Sequence, residues 1–135
     1  MLRRTPLKRT PMRTKHRNTN PDPATVAAVW ARDDGCCARC GKPLWESQRG
    51  TAWSVQHRLP RGRGGTNAVA NLVLACGSAT TGCHGWMESQ REAAYLEGWL
   101  LRTGEDPARV PVRHWAYGRV FLTDTGGYDT HGGQR

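Results

Sequence analysis

The chain holds a single phenylalanine among its 135 residues, and no apolar run approaches the roughly twenty residues a membrane-crossing helix needs. A membrane partner is therefore not expected. Acidic residues are also scarce, with 11 Asp and Glu against 20 Lys and Arg for a net charge of +9, which disfavours cationic partners and favours a polyanion. The cysteines, Cys36, Cys37, Cys40, Cys76 and Cys83, are odd in number and bunched, unlike the disulfide framework of a small secreted domain. The opening MLRRTPLKRTPMR has neither the apolar core of a secretory signal nor an amphipathic period, so a reducing cytoplasm is the expected location. Hydrophobic residues make up 37% of the chain, enough for one modest core that calls for an extra staple.

The positive charge is concentrated. Residues 1–20 carry Arg3, Arg4, Lys8, Arg9, Arg13, Lys15 and Arg17 with no acid, leaving 13 basic against 11 acidic residues beyond them. The prolines of Arg4-Thr5-Pro6-Leu7 and Arg9-Thr10-Pro11-Met12 forbid a continuous helix, so a flexible basic arm riding on phosphates is expected over 1–20. A solvated tail is the simpler alternative. Asp22-Pro23 reads as an N-cap and first-turn proline, starting a helix over about 23–33. Strands are expected within 51–59 and over NLVLAC (71–76), joined by the Gly- and Arg-rich PRGRGGTNAVA. One helix is expected from about Cys83 to Glu97, then strands at GWLLR and RVFLTD. The expected domain spans 21–125, with 126–135 as a disordered tail.

Cys37-Ala-Arg-Cys40-Gly41 has the form of a zinc knuckle: two thiolates two residues apart converge on one ion, and the glycine lets backbone amides turn toward the sulfurs. Cys76 and Cys83 complete a four-cysteine structural Zn²⁺ site, across a spacer longer than usual. Cys36 is left over. Free or redox-active thiols are the alternative.

His57 ending one strand, Asn71 opening the next, and Cys83-His84 opening a helix, interleaved with two cysteine pairs, together resemble the HNH endonucleases. The likeness covers roughly residues 25–100. QHRLPRGRGG and GCHGWMESQREA look most like the phage-encoded, zinc-stapled branch often associated with genome packaging. The resemblance implies an α+β fold: a small ββα-metal core with a four-cysteine zinc site, a short flanking helix and flanking strands. It also implies metal-dependent hydrolysis of DNA phosphodiesters by nicking or double-strand cutting. His57 would be the general base, since a neutral imidazole titrates near working pH and its second nitrogen can be oriented by a backbone carbonyl. His84 would be a metal ligand. Asn71 would tether the inter-strand loop rather than touch the metal, its amide donating and accepting at once. The bland alternatives are a loop-capping His57, a His84 packed at a helix start and an Asn71 serving its local turn.

The chain departs from the family at Gln56, where members commonly carry Asp or His as a metal ligand. Its neutral amide oxygen is a weaker ligand. Glu88, four residues after His84 and on the same helix face, is the compensating candidate, or else an ordinary exposed carboxylate. That donor set suits Mg²⁺, Mn²⁺ or a similar divalent ion. Arg58, Arg61 and Arg63, beside the base, are the expected phosphate contacts, together with Arg3, Arg4, Lys8 and Arg9 of the arm. Trp45, Trp53, Trp86, Trp99 and Trp115 are expected in the core or over the zinc site. DNA is the expected partner, and terminase-type packaging proteins are implied by the resemblance alone. The competing functions are a non-catalytic zinc module that binds DNA or a packaging protein, with the catalytic metal compromised at Gln56, and a zinc-ribbon transcription regulator.

Overall fold

The computed structural model describes residues 19–131. Helix α1 (Pro23–Arg32) begins where the Asp22 carboxylate accepts the Thr25 amide at 2.7 Å, with proline in the first turn, as the sequence predicts. Strands β1 (Trp53–His57) and β2 (Leu72–Cys76) pair antiparallel, from Trp53 opposite Cys76 to His57 opposite Leu72. Every β2 residue is buried. Leu72 and Leu74 pack with Val29 of α1 and with Trp53, while Val73 and Ala75 belong to a second core with Met87, Ala94 and Trp99. That two-sided burial explains why β2 reads as an unbroken apolar run rather than an alternating one.

The single helix expected over 83–97 is two, α2 (Gly82–Ser89) and α3 (Arg91–Glu97). Gln90 separates them with φ −105° and ψ 59°, outside the helical region. Neither proline nor glycine marks the break. GWLLR is not a strand: Gly98 caps α3 with φ 82°, and Trp99, Leu100 and Leu101 follow as a buried connection. RVFLTD does contribute β4 (Gly118–Leu122), which pairs with β3 (Val112–His114), a strand the sequence did not announce. The tail expected over 126–135 also needs correction, because β5 (Tyr128–Asp129) pairs with Leu122 and Phe121. The Tyr128 hydroxyl shares its one proton between the Arg32 carbonyl and the Asp33 carboxylate, both at 2.9 Å, and lies 3.0 Å from His114 Nε2.

Asp33 and Arg32 fasten α1 to the ribbon. Their side chains are fully buried and joined at 2.8 Å. Asp33 accepts the Leu74 amide at 3.0 Å, and Arg32 donates to the Val69 and Leu72 carbonyls. Among the described residues no helix is long and apolar enough to cross a membrane.

Candidate metal and nuclease site

The four cysteines converge. The sulfurs of Cys37, Cys40, Cys76 and Cys83 all lie within 4.8 Å of one another, and those of Cys40 and Cys76 are 3.7 Å apart. A tetrahedron of zinc–thiolate bonds near 2.3 Å places its sulfurs about 3.8 Å apart, so this donor set fits Zn²⁺. A hydrogen bond with the Cys83 sulfur, followed by burial, pushes the Cys37 thiol well above its ordinary range. Protein groups already face the sulfurs, among them the Cys83 amide, which donates to Cys76 Sγ at 3.4 Å, and Arg39 Nη1, which donates to Cys83 Sγ at 3.5 Å. The remaining cysteine, Cys36, stands apart from the cluster and donates to the Asp34 carbonyl.

Local chain geometry builds this site. Gly41 adopts φ +79°, and its amide returns to the Cys37 carbonyl at 2.8 Å. An added Cβ there would meet the Trp115 ring at 2.5 Å, so the glycine also seats an aromatic cover on the knuckle. The long spacer from Cys76 to Cys83 works because its ends touch: a Cβ on Gly82 would lie 2.7 Å from the Cys76 carbonyl oxygen. The loop leaves and returns at nearly one point, delivering Cys83 beside Cys76. The Ala38 backbone then clips the knuckle in place, its amide donating to Leu74 and its carbonyl accepting from Trp115.

On the opposite end of the ribbon a groove of about 610 Å³ is lined by Gln56, His57, Arg61, Arg63, Glu88 and Arg91, among others. His57, at the end of β1, is half-buried, and its Nε2 lies 2.8 Å from Asn67 Oδ1. The Asn67 amide is oriented by its own Nδ2, which donates to the Thr19 carbonyl at 3.1 Å. An amide oxygen only accepts, so Nε2 carries the proton and Nδ1 is the bare nitrogen. Arg61 Nε, at 3.5 Å from the same Nε2, is too distant to compete. Burial lowers the His57 pKa below its ordinary value, the Asn67 bond works against that, and the charge of Arg61 adds to it. The orienting group is thus a side-chain amide, not the backbone carbonyl the sequence led us to expect. Asn67 was one of many polar residues in a loop, and only tertiary contact distinguishes it.

Asn71 is fully buried. Its Oδ1 accepts the Leu59 amide at 2.7 Å, and its Nδ2 donates to the carbonyls of Leu59 at 3.1 Å and Thr66 at 2.9 Å. Those bonds close the loop after His57. His84, at the start of α2, holds Ser54 Oγ at 3.0 Å through Nδ1, which leaves Nε2 for a ligand. It does not line the groove, whereas Gln56 and the exposed Glu88 do. By donor type an imidazole, a carboxylate and an amide suit a hard divalent ion, but among the described residues the set of three or more His, Cys, Asp or Glu ligands that converges is the four cysteines.

Arg58 is not a phosphate contact. Its side chain is wholly buried and donates to the carbonyls of Gly98, Ala70, Pro107 and Val110 at 2.6–3.0 Å, tying the end of β1 to the C-terminal segments. Arg61 and Arg63 are exposed at the groove, and Arg61 reaches the Thr19 hydroxyl. Arg3, Arg4, Lys8 and Arg9 lie outside the described residues. Arg91, on α3, lines the groove beside Glu88 and was missed by the sequence reading, which treated that helix as scaffold. Of the tryptophans, Trp53 and Trp99 are core and Trp86 packs against it. Trp45 is 70% exposed and Trp115 is 51% exposed, so Trp45 departs from its expected place and Trp115 covers the knuckle with its outer face open.

A two-stranded ribbon and a following helix, beside four converging cysteines and a groove lined by arginines and one histidine, define a small α+β fold with an HNH-like ββα arrangement and a four-cysteine site consistent with structural zinc. The family model for HNH endonuclease matches residues 37–84, the segment from the knuckle to His84. No curated protein and no solved structure matches the chain.

Proposed function

We propose that the protein is a metal-dependent DNA endonuclease in which His57 is the general base. The observation carrying this reading is the 2.8 Å contact of His57 Nε2 with the Asn67 amide oxygen, an arrangement that supports a proton on Nε2 and a bare Nδ1, in a groove lined by Arg61, Arg63 and Arg91. A water in line with the scissile phosphorus loses its proton to Nδ1 as its oxygen bonds to phosphorus and the bond to the leaving oxygen breaks. Asn71 keeps the loop closed so that His57 holds its position. His84, Glu88 and the Gln56 amide would hold the divalent ion, which supplies Lewis-acid charge on the phosphate when bound. Arg61 and Arg63 contact flanking phosphates and restrain the duplex. Cys37, Cys40, Cys76 and Cys83 would hold a zinc ion that takes no chemical step and ties α2, and with it His84, to the knuckle and the end of β2.

The reading extends to a phage-encoded protein acting in the host cytoplasm and linked to genome packaging, supported by the resemblance of QHRLPRGRGG and GCHGWMESQREA to that branch. Gln56 favours one alternative. With a neutral amide where an acid or histidine is usual, the same groove would serve a non-catalytic DNA-binding module. The deciding experiment is nicking of supercoiled plasmid by zinc-loaded protein with and without Mg²⁺ or Mn²⁺, for wild type and His57→Ala. Divalent-dependent nicking that disappears in a folded, DNA-binding His57→Ala supports the enzyme. A wild type that binds DNA and leaves it intact with every divalent ion supports the binding module.

A further inference from the structure

Three guanidinium groups gather on one phenol at the rim of the groove. Tyr95 of α3 packs its ring against the core, while its hydroxyl accepts from Arg63 Nη1 at 2.8 Å and from Arg91 Nη2 at 3.4 Å. The Arg102 guanidinium covers the ring face, 4.0 Å from its centroid, and that of Arg91 lies 5.9 Å from the same centroid. Among the described residues the ion pairs are Arg32–Asp33, Arg39–Glu97 and Arg109–Asp106, so no carboxylate pairs with any of these three arginines. Glu105 bonds the Arg102 backbone amide rather than the guanidinium, and Glu88 shares the groove with Arg63 and Arg91 without an ion pair to either.

Holding three like charges together on a neutral group costs electrostatic energy, which an anion placed among them recovers. Tyr95 supplies the arrangement without supplying the charge. All three arginines are exposed, and Arg63 and Arg91 also line the groove that contains His57.

We infer that Arg63, Arg91 and Arg102, organised by Tyr95, form a binding site for a DNA backbone phosphate next to the groove. The site lies mostly beyond residues 37–84, on α3 and the segment after it, and extends the proposed nuclease reading by fixing where the duplex is held outside the cut. It rests on that reading for the identity of the anion. The neighbouring guanidiniums match the paired oxygens of a phosphodiester, which a single ammonium would not.

The test reads binding, so it stands apart from whether the protein cuts. Affinity of the zinc-loaded full chain for a 20-base-pair duplex would be measured by anisotropy across a NaCl series for wild type, Arg91→Gln/Arg102→Gln, Tyr95→Phe and an Arg109→Gln control. Neutralising one phosphate contributes about 0.9 to the slope of log K against log salt. The double variant is expected to lose at least about that much, and Tyr95→Phe to bind severalfold more weakly at nearly wild-type slope, since it removes no charge. Arg109, already paired with Asp106, is expected to be silent. A double variant with wild-type slope overturns the site, as does an equal loss in Arg109→Gln, which would mean that net charge alone matters. Loss of slope in a protein that never cuts DNA would sustain this site while removing the nuclease reading.

Discussion

Replacing Arg58 by alanine removes the donor to four carbonyl oxygens, those of Gly98, Ala70, Pro107 and Val110, in a place where the arginine itself is 0% exposed. A buried acceptor stripped of its partner costs about 1–3 kcal/mol. Water entering the vacated volume recovers part of this, so the lower end applies to each carbonyl and the total is about 4 kcal/mol. Small domains are stable by roughly 5–15 kcal/mol, so Arg58→Ala should consume much of the reserve and lower the melting temperature by on the order of 15 °C. Urea unfolding at fixed free zinc is the appropriate assay, because bound metal adds its own stabilisation. Arg58→Lys keeps a charge but presents three donors to four acceptors, and is expected to fall between wild type and alanine. A loss below about 1 kcal/mol in Arg58→Ala, accompanied by weakened DNA binding, would refute the structural role and restore the phosphate contact that position in the sequence suggests.

Stripping zinc with a strong chelator is expected to unfold the domain, seen as loss of near-ultraviolet circular dichroism and its return on readdition of zinc; Cys36→Ser should behave as wild type in the same assay. Gly41→Ala should destabilise by about 1–3 kcal/mol in thermal melts, since it combines a φ of +79° with a clash 2.5 Å from the Trp115 ring. Cleavage as a function of pH follows from the lowered His57 pKa: the base is active when neutral, so activity should rise with its acid-limb midpoint below the ordinary 6.5 and hold flat through neutrality. A midpoint above 6.5 in kcat/KM would contradict the burial and the Arg61 field that cause the shift. Asn71→Ala leaves the Leu59 amide and the carbonyls of Leu59 and Thr66 without their partners and is expected to cost about 2–4 kcal/mol in urea unfolding.

Much of the site can be read directly from residue order. The knuckle Cys37-x-x-Cys40-Gly41, the second pair at Cys76 and Cys83, and His57, Asn71 and His84 between and beside them are local patterns whose chemistry admits few arrangements. Helix α1 announces itself by an N-cap and a first-turn proline, and β2 by an apolar run of strand length, because capping and burial act on neighbouring residues. These are features whose energetics lie mostly within one turn or one strand.

The rest depends on contacts between distant segments. That Arg58 is sequestered while Arg61 and Arg63 remain open follows from carbonyls up to 52 residues away, and no neighbour in sequence signals it. The choice of Asn67 as the group orienting His57 depends on Thr19, 48 residues earlier. Tyr128 was assigned to a tail because its surroundings are polar and glycine-rich, yet its hydroxyl completes the buried network of Arg32, Asp33 and His114. Residue type and spacing alone were enough to assemble the four-cysteine cluster and to single out His57 as the candidate base. Which arginines face solvent, which amide meets His57 Nε2 and where Arg91 and Tyr95 stand depend on the packed chain, because a buried hydrogen bond is satisfied by whichever partner folding brings within reach.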